Sequence, residues 1–332
     1  MSSPQVKRIF ADIRYLKKNN LDDGTNNIWV KVDEDNIEKM YAMIKGSDDT
    51  PYKGGFYFFD IAFPKNYPHS SPYVKFCTLH PRVRFNPNLY REGKVCLSLL
   101  GTWTGPGWTA CNNIASVLLS IQSMVLNDKP LENEPGFENA GELELLKYSY
   151  VIEYFNYEVA VLSMIQNPPG VFKMFHEEMI DSFFENKDKY IENIHMLKDN
   201  LVKKVNILDK NTHKTKEVDI FPQYKSQNYL HSGVYNMTLY PDFDILLSKL
   251  TSLTSKEQLL SIAQDIKLGE DRKNIMYLRS RVNKSTSLVD IQSIASKLDV
   301  NVHKVSSSSG KQIKKTKADL LSDIDTKLEN NT

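Results

Sequence analysis

The sequence predicts an α+β protein whose chemistry sits in one domain, residues 1–168, followed by a mainly helical extension. Three observations lead there. An amphipathic helical pattern opens the chain, four strand-like segments rich in β-branched and aromatic residues follow, and helical spacing returns after a long aperiodic stretch.

Residues 6–18 place Val6, Ile9, Ile13 and Leu16 at helical spacing, with Lys7, Arg8, Arg14 and Lys18 on the outer side. Ile28, Val30 and Val32 then alternate with Trp29 and Lys31, and Met40 to Ile44 form the hairpin partner across the polar turn Asp33–Asn36. Residues 54–63, G-G-F-Y-F-F-D-I-A-F, read as a third strand; Val74 and Phe76 begin a fourth after a loop marked by Pro64, Pro68 and Pro72. Together these four segments predict a four-stranded antiparallel sheet. From Cys77 to Cys111 the chain is rich in Pro, Gly and Asn and has little periodicity, the signature of a functional loop inside a compact domain. Ile114, Val117, Leu118, Ile121 and Val125 mark the next helix, and another covers about 142–166 before Pro168-Pro169-Gly170.

The second half is read as a helical extension over 169–209, a mostly helical region of unknown role over 210–300 and a loose Ser/Lys-rich tail over 301–332. Tyr190, Ile194, Leu197, Leu201, Val205 and Leu208 form a helical stripe, whereas 211–241 has no clear period. Thr254 with Glu257 reads as a capping box for a helix reaching about Ile266, and Ser287 with Asp290 as another helix start. Ser306–Ser309 and Lys311, Lys314, Lys315 and Lys317 give the tail its composition.

Composition narrows the function. With 41% apolar and 25% charged residues and a net charge of +1, the chain has no global field for nucleic acid or acidic membrane. It has no apolar run of membrane-spanning length and no leader-like amino terminus, so the cytosol or nucleus is expected. Three cysteines, Cys77, Cys96 and Cys111, argue against a disulfide framework or a structural metal site, and composition alone does not choose among them as a reactive thiol. Neither a metal nor a cofactor is expected.

The ordered motifs do choose. T-P-Y-K-G-G-F-Y-F-F-D-I-A-F-P-K-N-Y-P-H-S-S-P-Y-V-K-F at 50–76 and N-P-N-L-Y-R-E-G-K-V-C-L-S-L-L at 86–100 resemble the middle strands and active-site segment of the ubiquitin-conjugating enzyme family. In that family a catalytic cysteine stands eight residues after an Asn, as Cys96 stands after Asn88. The run G-T-W-T-G-P-G-W-T-A, the helix from Asn112 and N-E-P-G-F-E at 133–138 resemble one branch of it, that of enzyme Z and the conjugating domain of BRUCE. The resemblance covers about residues 5–165; nothing beyond about 210 is recognised.

The resemblance implies a transferase of an ATP-dependent conjugation pathway, with Cys96 carrying ubiquitin as a thioester. Asn88 corresponds to the residue that stabilises the oxyanion or orders the loop. Asn86 stands where most members carry His, as it does in the resembled branch. Glu134, with Asn133 beside it, occupies the gate loop where an acid helps an attacking lysine lose its proton, while Ser98 fills another gate position that is commonly acidic. Lys7 and Arg8 match the basic face offered to the activating enzyme, and His69 and Trp108 lie on the ligase-facing loops; Trp103 is expected in the core. His80 lies too far along the chain from Cys96 to act as its base and is read as structural, like Cys77. The implied partners are ubiquitin, its activating enzyme, a ligase and protein substrates. All catalytic groups precede residue 140, so the chemistry is not expected to need the chain beyond 210.

Three other readings compete. A ubiquitin-binding variant without activity would lack the cysteine; a cysteine hydrolase needs a His paired with the thiol, and none lies in the Cys96 segment. Conjugation of another ubiquitin-like modifier differs only in the charging partner.

Overall fold

The computed structural model describes residues 3–138, 140–209, 214–257, 259–260, 303–305, 312–314, 320 and 322–323. The chain divides into two compact units, Met1–Lys256 and Glu257–Thr332.

Helix α1, Pro4–Lys18, begins where the Ser3 side chain accepts a hydrogen bond from the Val6 amide and ends on Lys17 and Lys18, which suit the carbonyl end of the helix dipole. Strands β1 (Ile28–Val32), β2 (Lys39–Lys45), β3 (Phe56–Ala62) and β4 (Tyr73–Phe76) follow as an antiparallel sheet in that order. Val32 faces Met40 across the first hairpin, as the alternation predicts.

Strand β3 explains the thickness of the domain. Phe56, Tyr57, Phe58 and Phe59 are all 0% exposed, although successive residues of a strand point to opposite faces. Both faces of the sheet are therefore covered. On one, Phe59 pairs with Phe76 and Tyr57 meets Phe85 edge-on at 5.5 Å, which seats the long loop after β4. On the other, Phe58 stacks on Phe172 at 4.7 Å and Phe175 at 6.3 Å. A buried Phe contributes roughly 2–3 kcal/mol through the area removed from water, so residues beyond 168 belong to the core of this sheet.

Helix α2, Ile114–Ser120, starts with a reciprocal cap between Asn113 and Ser116 and loosens into π geometry over Ile121–Val125. Helix α3, Glu142–Phe155, runs on through wider turns to Gln166. Asn156, 0% exposed, pins it to the sheet: its Oδ1 accepts from the Tyr57 hydroxyl at 2.6 Å and its Nδ2 donates to the Lys53 carbonyl at 2.9 Å. Helix α4, His176–Asn200, lies on the second face, where the Tyr190 hydroxyl donates to the Gly54 carbonyl at 3.0 Å. Gly54 has φ +70°, and a Cβ there would lie 2.3 Å from the Tyr190 ring.

The second half corrects three expectations. The helical stripe stops at Asn200, because Lys204–Asp209 (β5) pairs with Lys214–Asp219 (β6). Val205 faces Val218 there; the apolar residues 201, 205 and 208 fit helical spacing, but Val205 and Ile207 equally fit a strand. The aperiodic stretch 211–241 holds a second short hairpin, Leu230–His231 (β7) with Thr238–Leu239 (β8), before helix α5, Phe243–Ser252, which Asp242 caps. In the expected loose tail, His303–Val305 (β9) pairs with Gln312–Lys314 (β10). Lys256, Glu257, Leu259 and Leu260 are helical, in agreement with a start near Thr254. Residues 261–266, Ser287, Asp290, Ser306–Ser309, Lys311, Lys315 and Lys317 lie outside the described residues. Among the described residues no helix is long and apolar enough to cross a membrane.

Candidate active site

The loop after β4 is held by side chains rather than by regular structure. Asn86, 0% exposed, accepts the Asn88 amide on its Oδ1 at 2.8 Å and donates through Nδ2 to the Val125 carbonyl at 2.7 Å and the Tyr52 hydroxyl at 3.0 Å. Tyr52 in turn donates to the Phe85 carbonyl at 2.7 Å, and burial holds its phenol well above the usual range. An Asn supplies a donor and an acceptor from one amide, and all of these contacts use both.

Asn88 and Cys96 close a small hairpin. The Cys96 amide donates to the Asn88 carbonyl at 2.8 Å, and the Asn88 Nδ2 donates to the Cys96 carbonyl at 2.7 Å. Gly93, φ +99°, turns the chain between them, with its amide on the Tyr90 carbonyl at 2.9 Å. A Cβ at Gly93 would meet the Phe76 carbonyl oxygen at 2.8 Å, so the turn packs directly on β4. The eight-residue spacing is the length of this hairpin. Cys96 is 1% and Asn88 9% exposed, and the Asn88 Oδ1 is buried without a hydrogen-bond partner among the described residues. Past Cys96 the Thr102 hydroxyl accepts from the Leu97 amide at 2.9 Å and donates to the Val95 carbonyl at 2.7 Å, stapling the turn Ser98–Leu100. Gly105, φ +131°, folds back so that a Cβ would lie 3.2 Å from the Ser98 side chain.

Glu134 follows the short helical turn Pro130–Asn133. Asn133 Nδ2 donates to the Met124 carbonyl at 2.9 Å and lies 3.4 Å from Asn86 Oδ1, so it joins the network that holds Asn88. Glu134 is half-buried and accepts a hydrogen bond from the Tyr235 hydroxyl. Nothing beyond 210 was expected beside these residues.

The other anticipated positions fall apart into different roles. Lys7 is exposed. Arg8 is held instead by Asp12 Oδ1 at 2.8 Å and by the carbonyls of Ala110 and Asn112, tying α1 to the loop before α2. Trp108 donates its Nε1 proton to the Pro68 carbonyl at 2.7 Å and packs on Tyr67, joining two loops, while His69 beside them is exposed. Trp103, expected in the core, is 37% exposed; Trp108 has taken the anchoring place because only its loop position meets Pro68. Cys77 is half-buried, and burial pushes its thiol up to about 11. Cys111 is exposed. His80 packs 5.7 Å from Phe155, and burial together with Arg82 lowers its pKa, in keeping with a structural role.

Sequence reasoning missed Asp12, Tyr52 and Tyr235. Asp12, 3% exposed, also accepts from the Tyr67 hydroxyl and from the Ile114 amide at the start of α2. Its signal was available: a carboxylate on the apolar stripe of α1. Among the described residues no group of three or more His, Cys, Asp or Glu side chains is placed to hold a metal ion.

Residues 9–150 match the family described as "Ubiquitin-conjugating enzyme". The chain is 41% identical over 189 residues to "Ubiquitin-conjugating enzyme E2 Z" of Danio rerio, covering 56% of this chain and 56% of that protein. It is 42% identical over 194 residues to the Homo sapiens protein of the same name, covering 57% and 53%. It is 34% identical over 203 residues to "Probable ubiquitin-conjugating enzyme protein 17" of Caenorhabditis elegans, covering 57% and 28%. The chain thus spans about half the length of the first two relatives and less of the third.

Proposed function

We propose, from the match of residues 9–150 to the family described as "Ubiquitin-conjugating enzyme", that this chain takes ubiquitin from an activating enzyme onto Cys96 and passes it to an amine. The observation that carries the reading is the reciprocal hydrogen-bonded pair Asn88–Cys96, which ties the backbone of the cysteine to a side-chain amide able to donate to a carbonyl oxygen.

In the first step the Cys96 thiolate attacks the carbonyl of the ubiquitin thioester on the activating enzyme, a new C–S bond forms and the activating enzyme's thiol leaves. In the second, an amine attacks the Cys96 thioester, the C–N bond forms, the C–S bond breaks and Cys96 leaves as thiolate. Asn88 serves the developing oxyanion after its amide turns from the Cys96 carbonyl; a donor of this kind contributes about 10²–10³ in rate. Glu134 takes the proton of the attacking ammonium, directly or through water, with Asn133 holding the gate loop in register. Lys7 offers an exposed charge of α1 to the activating enzyme, while Arg8 supports that surface from beneath. His69 and the Trp108-anchored loop form the face for a ligase, and the protein that supplies the amine is the substrate.

The test is incubation with ubiquitin, activating enzyme and ATP. A reductant-sensitive adduct one ubiquitin heavier, dependent on Cys96, is expected. No adduct with ubiquitin, but one with another ubiquitin-like modifier and its activating enzyme, would reassign the cargo; no adduct with any would leave a binding domain without activity.

A further inference from the structure

The hairpin β7–β8 lies against the candidate active site, and its tip is unusual. Tyr235 and Asn236 are both left-handed, with φ of 53° and 52°, a conformation uncommon outside glycine and enriched only for residues such as Asn. The tip is held by the Ser232 amide on the Met237 carbonyl at 3.1 Å and the Ser232 hydroxyl on the Val234 carbonyl at 2.7 Å. Met237, 0% exposed, anchors it, and its Sδ accepts from the Arg84 amide at 3.3 Å. Strained backbone persists where surrounding contacts impose it, often at sites of function.

What the strain presents is the Tyr235 side chain. Its ring lies 4.1 Å from the Arg84 guanidinium carbon, which also lies 3.8 Å from the Tyr90 ring. Its carbonyl accepts from Arg91 Nη2 at 3.1 Å, and its hydroxyl donates to Glu134 Oε2. Burial and the Glu134 carboxylate keep the phenol protonated, so it is a donor at neutral pH. Tyr90 and Arg91 belong to the hairpin that joins Asn88 to Cys96, and Glu134 to the gate loop. One residue therefore bridges the two: its backbone carbonyl holds Arg91 of the hairpin that carries Cys96, and its side chain holds Glu134.

We propose that Tyr235 is a positioning residue for thioester discharge, orienting the Glu134 carboxylate toward the incoming amine while its ring and backbone brace the turn that leads to Cys96. The inference rests on the conjugating reading. Packing alone needs only the ring, so the hydroxyl is the discriminating group. Its role is to fix one carboxylate oxygen and leave the other for the ammonium proton, which Glu134 receives as the C–N bond forms and Cys96 departs. A hydrogen bond that orients a catalytic group changes the rate of the chemical step rather than amine binding.

The experiment follows discharge of preformed, purified Cys96–ubiquitin thioester to free lysine, over a range of lysine concentrations, in the full-length chain. Tyr235→Phe keeps the ring and is expected to lower the maximal discharge rate about tenfold with an unchanged KM for lysine. Tyr235→Ala also loses the brace and is expected to fall further, by about a hundredfold. In Glu134→Gln, adding Tyr235→Phe is expected to cost nothing more, since the hydroxyl acts through that carboxylate. Wild-type discharge by Tyr235→Phe, a change confined to KM, or additive losses in the double variant overturns the inference. Absence of any thioester on wild-type Cys96 would instead sink the conjugating reading beneath it.

Discussion

The side-chain amide of Asn88 donates to the carbonyl of Cys96 at 2.7 Å while the Cys96 amide donates back to the Asn88 carbonyl at 2.8 Å. One residue thus fixes the backbone on which the thiol stands. On the proposed reading, ordering and oxyanion stabilisation are successive uses of the same side chain.

Asn88→Ala is expected to show both uses. Leaving the buried Cys96 carbonyl without its side-chain donor costs about 1–3 kcal/mol of stability, visible in a thermal melt. Discharge to lysine is expected to slow by about 10²-fold in single-turnover assays, with loading much less affected. Equal losses in loading and discharge would reduce Asn88 to an ordering role.

Cys96→Ser is expected to abolish the reductant-sensitive adduct and leave a slower, reductant-resistant oxyester, read by gel with and without thiol. Cys111→Ser, at an exposed position, is expected to load as the wild type does. Adduct lost only in the Cys111 variant would move the nucleophile.

Gly54→Ala tests the seat of α4 on the sheet. With φ at +70° and a Cβ position 2.3 Å from the Tyr190 ring, the substitution meets both backbone and steric strain and is expected to cost more than about 1 kcal/mol. The urea midpoint measures this. An unchanged midpoint would mean that α4 does not press on this corner.

His176 makes stability depend on pH. It is 5% exposed, its Nε2 lies 2.5 Å from the Ile165 carbonyl, and burial lowers its pKa from 6.5 despite that hydrogen bond. The unfolded chain then binds a proton that the folded chain refuses. Stability is full above the unfolded pKa and is lost as pH falls below it toward the folded one. The wild-type melting temperature is expected to drop between about pH 7.5 and about pH 5.5, and less steeply in His176→Gln. Parallel slopes would assign the pH dependence to other groups.

Most of the first half was legible from the chain alone. The α1 stripe, the alternation in β1, the aromatic run of β3 and the spacing in α2 and α3 are local periods of about 2 or 3.6 residues, and each element stands where its pattern lies. The Asn88-to-Cys96 interval was legible only through the family resemblance; the fold shows it to be the length of a hairpin. The same local rule misread residues 205 and 208, where an apolar spacing compatible with a helix belongs to a strand whose partner is Val218.

Tertiary structure decided what depends on partners far along the chain. Local pattern gave Arg8 and Lys7 the same exposed charge, but only Arg8 finds carbonyls 102 and 104 residues away. It placed Trp103 rather than Trp108 in the core, because the deciding group, the Pro68 carbonyl, lies on another loop. Tyr235 lay in a stretch without period, and its hydrogen bond to Glu134 spans 101 residues. Sequence periodicity records which face of an element is buried; which distant residue covers it, and with what hydroxyl or carbonyl, is settled only when the chain closes on itself.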